Sequence, residues 1–425
     1  MTEPPVSSLP TRRYARYVLG MLLGVYTLNF VDRIILGILV PPIKGELHLT
    51  DTELGLLGGT AFAIFYTALG VPIGRLADRF NRVWIIGLSL ALWSAFSAAC
   101  GLAQSFLQLF VCRLGVGLGE AGGVAPAYSL ICDFFPGDRH ARVLSIYSMG
   151  IPLGSAAGVL FGGLVAAQVN WRFAFLIIGA LGFVLAPCFA RSVREPVRGG
   201  FDELISAGGP LASQSASPQG LFSKVSFWSL ALGGAMCSLI GYGMIFWLPS
   251  FFVRSYHLTL QQVSWYVAAL NLVGGGIGIW TGGWLSDRLG SRHRAGYALV
   301  PAGACMLCMP CYAFGVSASS SFWAPFLFLL PSALALVWLA PTICAVQHLV
   351  RADRRAFASA SFLFINNLIG LGLGTLTIGW LSDHFAGRYG NDSLRHAILW
   401  GTGFYLLAAT LFLIAASRLS REWER

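Results

Sequence analysis

Long apolar runs dominate this chain and restrict what it can fold into. Twelve are long enough to cross a bilayer as helices, which takes about 20 residues each. These runs, called spans one to twelve, cover residues 17–41, 53–74, 84–104, 107–132, 142–168, 171–190, 226–253, 261–284, 296–315, 321–349, 356–381 and 396–417. Only 11% of the residues are charged, against about 25% in a soluble domain. We therefore predict that lipid is the solvent of most of the chain.

The Lys and Arg residues lie in short clusters between the spans. If both termini are cytoplasmic, 21 of the 28 lie on that side, five lie on the opposite side, and Arg33 and Arg113 lie within spans. This bias follows the positive-inside rule. It predicts a multi-pass protein of the cell membrane, plasma or inner, with both termini in the cytoplasm. It also explains the net charge of +10 without a nucleic-acid partner.

The two halves of the chain repeat one another. At an offset of 209 residues, His48-Leu49-Thr50 matches His257-Leu258-Thr259, and Gly74, Asp78 and Arg79 match Gly283, Asp287 and Arg288. At an offset of 215 residues, Ala125-Pro126 matches Ala340-Pro341, and Asp138-Arg139 matches Asp353-Arg354. Thr50 and Thr259 also begin predicted capping boxes with Glu53 and Gln262. Tandem halves of six helices are typical of a rocking carrier with its substrate site between them.

The repeat sets the predicted domains. They are a cytoplasmic tail (1–16), a six-helix bundle (17–190), a cytoplasmic linker (191–225), a second six-helix bundle (226–417) and a cytoplasmic C-terminal tail (418–425). The linker is rich in Gly, Ser, Pro and Ala, and its residues 201–205 are either an amphipathic surface segment or part of a disordered tether. Glycines spaced four apart on spans two, five, eight and eleven are interpreted as a sliding interface between the halves.

Four ionisable residues stand out away from the ends of the spans: Asp32, Arg33, Arg113 and Glu120. Each costs at least ~2.5–3.5 kcal/mol in a membrane, so such residues are usually functional. The helical rise places Asp32 and Glu120 at similar depths, and Arg113 and Glu120 share a helix face. We expect a neutral cluster in which Asp32 and Glu120 bind protons, Arg113 anchors an anionic head group and Arg33 balances Asp32. The alternative is a static ion-pair network that joins spans one and four.

Spans seven and ten of the second half offer aromatic and neutral polar residues instead of charges. An amphipathic ligand would suit this contrast, with its head on the first half and its tail on the second. The predicted substrate-binding residues are Arg33, Arg113, Glu120, Tyr242, Phe246, Trp247, Trp338 and Thr342.

The loop after span two runs from Gly74 to Arg82 as GRLADRFNR and resembles the major facilitator signature G-x-x-x-D-R-x-G-R, with Asn81 in place of the second glycine. This resemblance implies twelve helices in two pseudo-symmetric six-helix bundles, an all-α membrane fold. It also implies a cytoplasmic gate that bonds across the halves in the outward-open state, formed by Gly74, Arg75, Asp78, Arg79, Arg82, Asp287 and Arg288. A basic turn that only sets the topology is the alternative.

A narrower resemblance rests on the first half. Asp32-Arg33, the stretch from Arg113 to Gly122 (RLGVGLGEAG) and the ADRFNR loop resemble the Spinster family, whose members export lysophospholipids and sphingoid lipids. The resemblance implies an alternating-access carrier of such a lipid, and the intramembrane carboxyls suggest that protons drive it. A proton-coupled drug or organic-anion transporter is the alternative. We expect a monomer that needs only the bilayer and its lipid substrate as partners.

Enzyme and metal signatures do not account for this chain. It contains no H-E-x-x-H, G-x-S-x-G or P-loop motif, so we expect no enzymatic activity. Cys305, Cys308 and Cys311 have a metal-like spacing, but they lie in an apolar run without nearby His or acidic partners. We interpret them as packing residues and expect no metal and no cofactor, with protons as the coupling ion.

Overall fold

The computed structural model describes residues 11–136, 139–198, 219–290, 292–318, 323–351 and 354–424. Within these ranges the chain forms helices joined by short connections, with no β-strand. The predicted all-α membrane fold is confirmed. The segment at 201–205, and Asp138 and Asp353 of the sequence repeat, lie outside the described residues.

The first half contains spans one to six. Span one is Arg12–Leu47, and span two consists of Asp51–Gly55, Leu56–Thr60 and Ala61–Arg79. Span three is Arg82–Cys100, and span four consists of Phe106–Glu120 and Val124–Phe134. Span five consists of His140–Ser148 and Gly150–Gln168, and span six is Trp171–Ser192. The Leu56–Thr60 segment is a π-helical turn inside span two. Asn81 caps the third span by accepting the N–H of Trp84, so the residue that departs from the signature glycine starts a helix.

The second half contains spans seven to twelve. Span seven is Val225–Tyr256, and span eight consists of Leu260–Ala269, Leu270–Gly274 and Gly275–Gly290. Span nine is Gly296–Ser317, and span ten includes Leu329–Leu334 and Leu339–Gln347. Span eleven consists of Arg355–Asn366, Asn367–Leu371 and Gly372–Tyr389, and span twelve consists of Ser393–Thr402 and Phe404–Glu422. Spans eight and eleven also contain π-helical turns.

Ten helical stretches of the described chain are long and apolar enough to cross a membrane. One of them, 357–422, holds spans eleven and twelve together. Span four is divided by the turn at 121–123, so each of its two helices is shorter than a full crossing. When span four is added and spans eleven and twelve are counted separately, the helices match the twelve spans expected from the sequence.

The repeated His-Leu-Thr segment has the same conformation in both halves. His48 ends span one and His257 ends span seven, each with a left-handed backbone at φ 52° and 54°. Thr50 and Thr259 then form capping boxes with Glu53 and Gln262, as predicted. The sequence repeat therefore corresponds to a structural repeat at these turns.

The helix ends define two faces of the molecule. The face where span one begins and span twelve ends is called the terminal face, and the other is called the opposite face. An odd-numbered span runs from the terminal to the opposite face, and an even-numbered span runs back. Asp51, which begins span two, and Arg254, near the end of span seven, therefore belong to the opposite face.

Most glycine ridges pack inside one half, so their interpretation as a sliding interface between the halves is wrong for spans five and eight. A Cβ at Gly158 of span five would meet the backbone of Val31 in span one. A Cβ at Gly278 of span eight would meet the backbone of Ala333 in span ten. Small residues allow two helix backbones to approach wherever they pack, and each rigid bundle needs such contacts internally.

The glycines of span two near the opposite face contact the other half, as does Gly163 of span five, which lies outside the predicted ridge and faces Ser264 of span eight. A Cβ at Gly55 would lie 2.6 Å from the carbonyl oxygen of Thr375 in span eleven. The Thr375 hydroxyl donates to the Gly55 carbonyl at 2.7 Å, and the Thr60 hydroxyl donates to the Gly372 carbonyl at 2.6 Å. By contrast, Gly374 of span eleven packs on span seven of its own half. Spans two and eleven thus hold the halves together toward the opposite face.

We expect Gly55→Ala to shift the protein away from this conformation, because its Cβ has no room against the span-eleven backbone. Spin labels on the opposite-face ends of spans two and eleven would show a longer distance in the variant. Gly70→Ala is the matched control. A Cβ at Gly70 meets nothing within 4 Å, and the substitution brings the same gain in helix propensity. If both variants gave the same distance distribution, the close contact of Gly55 with span eleven would not stabilise this conformation.

Candidate functional site

The four intramembrane ions meet in two ion pairs between spans one and four. Arg33 Nε donates to Glu120 Oε2 at 2.6 Å. Arg113 Nη1 lies 3.6 Å from Asp32 Oδ1, an ionic contact that is too long for a hydrogen bond. Asp32 and Glu120 are 0% exposed and Arg113 is 1% exposed. The expected grouping of two positive and two negative charges is therefore present, and we call it the ion cluster.

The pairing within the ion cluster differs from the expected one, in which Arg33 balanced Asp32. Adjacent helical residues point about 100° apart and do not face each other. Arg33 therefore reaches Glu120, while Asp32 faces Arg113. Each pair joins span one to span four, so the two helices are connected by two buried ion pairs.

Glycines in span four let this helix pack closely on spans two and three. A Cβ at Gly117 would meet the backbone of Phe62 in span two, and a Cβ at Gly119 would lie 2.6 Å from the backbone nitrogen of Trp93 in span three. The run from Gly115 to Glu120 therefore packs directly on its neighbours. Glu120 is the last residue of its helix, directly before the turn at 121–123.

Aromatic rings surround the guanidinium of Arg33. Its Cζ lies 5.2 Å from the ring centre of Phe30, 4.8 Å from Phe62 and 4.4 Å from Tyr66. Such cation–π contacts stabilise a cation that has lost water. Tyr242 of span seven interacts electrostatically with both Arg33 and Tyr66, so a second-half side chain also lies close to this group.

Arg113 is held by span two as well as by Asp32. Its Nε donates to the carbonyl of Leu57 at 3.4 Å, and its Cζ lies 5.7 Å from the ring of Phe62. Leu57 lies in the π-helical turn Leu56–Thr60. A π-helical turn changes the regular hydrogen-bond pattern, and such turns are frequent at functional sites.

Several atoms of the ion cluster have no hydrogen-bond partner within the described chain. They are both carboxylate oxygens of Asp32, Glu120 Oε1, Arg33 Nη2 and Arg113 Nη1. Buried polar groups are satisfied in most proteins, and an exception commonly marks a functional group. These atoms can therefore bond a partner that the described chain does not supply.

The predicted second-half residues separate into three places. Tyr242 lies near Arg33, and the Phe246 ring packs against Gly58 of span two. Trp247 is fully buried and donates from Nε1 to the Thr375 carbonyl at 2.8 Å, nearer to the opposite face. Trp338 and Thr342 are buried in the second half, where the Thr342 hydroxyl donates to the Trp338 carbonyl at 2.6 Å. Of these five residues, only Tyr242 and Phe246 therefore lie near the ion cluster in this conformation.

The predicted gate residues lie on the terminal face. Arg75, Asp78 and Arg79 of the first half are exposed and Gly74 is half-buried. In the second half, Asp287 and Arg288 are also exposed, and the Arg288 guanidinium lies 5.6 Å from the Trp284 ring. The exposed first-half residues fit the released state of the gate that the signature implies.

Arg82 differs from the other gate residues because it is buried within the first half. Its Nη1 contacts Asp133 Oδ2 at 2.5 Å and its Nε contacts Glu195 Oε1 at 2.6 Å. Arg198 donates to the carbonyls of Ala77, Asp78 and Phe80 at the end of span two. Residues 195–198 thus attach the start of the linker to residues 77–82, the end of span two and the start of span three. Sequence reasoning missed this connection.

A second ionic centre closes the opposite face around Asp51. Its carboxylate accepts from Lys44 Nζ at 2.5 Å, from both Arg254 terminal nitrogens at 2.7 Å and from the Ser382 hydroxyl at 2.7 Å. The neighbouring Asp383 accepts the backbone N–H of Asp51 at 3.1 Å. Spans one and two of the first half are thereby bonded to spans seven and eleven of the second.

Sequence reasoning missed Asp51, because an acidic residue in the first turn of a helix is common and carries no special signal. Lys44 and Arg254 were visible only as two of the few basic residues of the opposite face. Asp51 lies 203 residues from Arg254 and 331 from Ser382 along the chain. The packing of the two halves alone brings these groups together.

We expect Asp51→Asn to open the opposite face, because the neutral amide loses its charge-assisted bonds to Lys44 and Arg254. Each such bond contributes about 1.5–3 kcal/mol. Solvent accessibility of single cysteines placed in span seven near Arg254 should rise. Asp392→Asn is the control, since Asp392 pairs with Arg395 within the second half at 3.8 Å. Unchanged accessibility in Asp51→Asn would show that this centre does not hold the face closed.

Known proteins resemble this chain over most of its length. The sequence profile of the Major Facilitator Superfamily matches residues 22–375. An MFS-type efflux pump of Mycolicibacterium smegmatis is 32% identical over 415 residues, which cover 97% of this chain and 95% of that protein. Protein spinster of Drosophila melanogaster is 24% identical over 404 residues, which cover 89% of this chain and 65% of that protein.

A solved structure has nearly the same fold. It is a bacterial homolog of the human lysosomal transporter Spinster, in an inward-facing and unoccupied conformation. Its TM-score to this chain is 0.90 at 29% sequence identity, and the alignment covers 98% of this chain and 100% of that one. The same protein in an inward-facing and occupied conformation gives a TM-score of 0.89.

Proposed function

This chain belongs to the Major Facilitator Superfamily of secondary transporters, and on that premise we propose that it moves a lysolipid or sphingoid lipid across the membrane in exchange for, or together with, protons. It is a transporter and not an enzyme. Alternating access between two six-helix bundles provides the route, and the ion cluster provides the coupling.

The observation that carries this proposal is the state of Asp32. Its carboxylate is fully buried, neither oxygen makes a hydrogen bond of normal geometry in the described chain although Ser97 lies close to it, and its counter-ion Arg113 lies 3.6 Å away. A buried carboxylate that loses its counter-ion is neutralised by a proton. Protonation of Asp32 would release Arg113, whose guanidinium fork can then bind a phosphate or carboxylate. Proton and cargo thus act on the same pair.

Glu120 and Arg33 form the second step of the coupling. Their hydrogen bond at 2.6 Å is tighter than the Asp32–Arg113 contact, and the aromatic rings of Phe62 and Tyr66 hold Arg33 in place. Spans one and four belong to the same bundle, so the rocking motion would act on this pair through the second half, where Tyr242 of span seven lies near Arg33, and would change the access of protons to Glu120. A static strut would show no such dependence on conformation.

The contacts between the halves assign a direction to this conformation. We take the terminal face as cytoplasmic, because it carries most of the basic loop residues. The Asp51 centre and the bonds between spans two and eleven then close the outer side, while Asp78 and Arg79 are released on the inner side. The resemblance to an inward-facing solved structure supports this assignment.

A lipid cargo is supported by the resemblance to the Spinster family and by the unequal halves. The charged groups near the centre belong to spans one and four, whereas span seven contributes Tyr242 and Phe246. A head group would therefore bind the first half and an acyl or sphingoid tail the second. A sugar would need polar groups all round the cavity.

Purified protein in liposomes tests this function. An imposed proton gradient should drive uptake or release of a lysophospholipid, and a small carboxylate should not be moved. The alternative of a drug or organic-anion carrier is favoured by the 32% identity to an MFS-type efflux pump. Transport of the carboxylate or a cationic dye, without any lysolipid or sphingoid base, would select that alternative.

A further inference from the structure

A basic pocket lies on the terminal face of the second half, away from the ion cluster. It is lined by Arg294, His348, Val350, Arg351, Arg355, Trp423 and Glu424, and its volume is about 410 Å³. We propose that this terminal-face pocket binds the phosphate group of an anionic membrane lipid, at a site separate from the transport route.

The pocket is assembled from three separate parts of the chain. Arg294 comes from the loop between spans eight and nine, His348 and Arg355 come from the connection between spans ten and eleven, and Trp423 comes from the end of span twelve. Convergence of three segments gives the pocket a defined shape. A flexible basic tail would have none.

Aromatic stacking holds Trp423 in the wall of the pocket. Its ring lies 4.5 Å from the His348 ring at 13° and 5.6 Å from the Tyr297 ring at 28°. The Arg294 guanidinium lies 5.6 Å from the same indole. The backbone N–H of Glu424 also donates to the His348 carbonyl at 3.0 Å. These contacts fix the arginine and the wall before any ligand arrives.

Arg294 and Arg355 give the pocket positive charge, whereas the lining carboxylate of Glu424 already contacts Lys224 Nζ at 3.2 Å. Burial, followed by the nearby charges of Arg355 and Arg294, lowers the pKa of His348. The two guanidinium groups therefore disfavour a further positive charge on the imidazole.

Phosphate is the anion that this geometry suits. Guanidinium forks bind phosphate through paired N–H donors, and basic pockets between helices on the cytoplasmic side bind lipid head groups. The volume falls in the range of about 300–1,000 Å³ that is usual for small-molecule sites and exceeds one phosphate ion. A tryptophan at this level of the membrane is typical of the interface with lipid head groups.

A thermal-stability titration of the purified full chain in detergent tests this site. Phosphatidylglycerol is the lipid ligand, phosphatidylcholine is the neutral lipid control, and inorganic phosphate is the soluble anion. The variant is Arg294→Gln with Arg355→Gln. Its matched control is Arg12→Gln with Arg16→Gln, which removes two exposed charges from the same face. Arg294→Lys with Arg355→Lys retains the charge and checks that the pocket still folds.

We expect phosphatidylglycerol to stabilise the wild type and the control pair, with affinity about tenfold weaker in the glutamine variant and partly restored by lysine. If inorganic phosphate gives the same pattern, the site is supported and soluble phosphate compounds are its source. Equal stabilisation of the glutamine variant and the control pair would overturn the proposal. So would a wild type that neither phosphate ligand stabilises more than phosphatidylcholine does.

Discussion

Glu120→Gln should reduce proton-driven transport to the level of empty liposomes while substrate binding stays measurable. Glutamine keeps the shape of the side chain but cannot bind and release a proton. Arg33 Nε, which now donates to Glu120 Oε2 at 2.6 Å, can still donate to the amide oxygen. The measurement is flux in proteoliposomes with an imposed pH gradient, together with substrate binding by thermal shift.

Loss of stability could imitate loss of coupling, so the experiment needs two controls. Removing one partner of a buried ion pair costs about 3–5 kcal/mol. Arg33→Gln with Glu120→Gln removes both charges and should recover stability without recovering proton-driven flux. Glu46→Gln removes a carboxylate that pairs with Arg172 at 2.7 Å near the opposite face, and it should transport normally. Wild-type flux in Glu120→Gln would rule out its role in coupling.

Arg113→Ala should weaken binding of an anionic lysolipid by about 10- to 150-fold. A hydrogen bond to a charged group contributes about 1.5–3 kcal/mol, and each 1.4 kcal/mol is tenfold in affinity. A zwitterionic lysolipid and an uncharged analogue of similar chain length should lose progressively less. Equilibrium binding to the detergent-purified protein measures the difference.

Two variants distinguish a head-group anchor from a structural strut. Arg113→Lys keeps the charge but not the planar fork, so binding should fall to an intermediate value. Asp32→Asn removes the counter-ion and should strengthen or preserve anionic-lipid binding, because Arg113 no longer faces a competing carboxylate. If Arg113→Ala weakened charged and uncharged lipids equally, Arg113 would act only through the packing of spans one and four.

The candidate site was partly predictable because charge within an apolar span is visible without any structure. Asp32, Arg33, Arg113 and Glu120 each interrupt a hydrophobic run, and their depths follow from the rise of the helix. Their grouping was therefore expected, and the structure shows it. The pairing of Arg33 with Glu120 was not expected, since it depends on the rotation of span one relative to span four.

The second-half residues show where sequence reasoning loses resolution. Tyr242, Phe246, Trp247, Trp338 and Thr342 lie on the expected spans, but an aromatic or hydroxyl side chain fits a helix–helix contact as well as a cavity wall. Their surroundings decide the matter. Trp247 bonds to span eleven and Thr342 bonds within span ten, whereas Tyr242 lies beside Arg33.

The membrane class, the number of helices, the two related halves and the identity of the buried ions could all be predicted from the sequence. Those properties follow from the length and polarity of each run and from a repeat in register, which are local or periodic features. The folded structure was needed to show which ions pair, which glycines face the other half and that Asp51 joins four spans at the opposite face. These contacts join residues hundreds of positions apart, and helix rotation and the relative position of the halves leave no trace in local sequence.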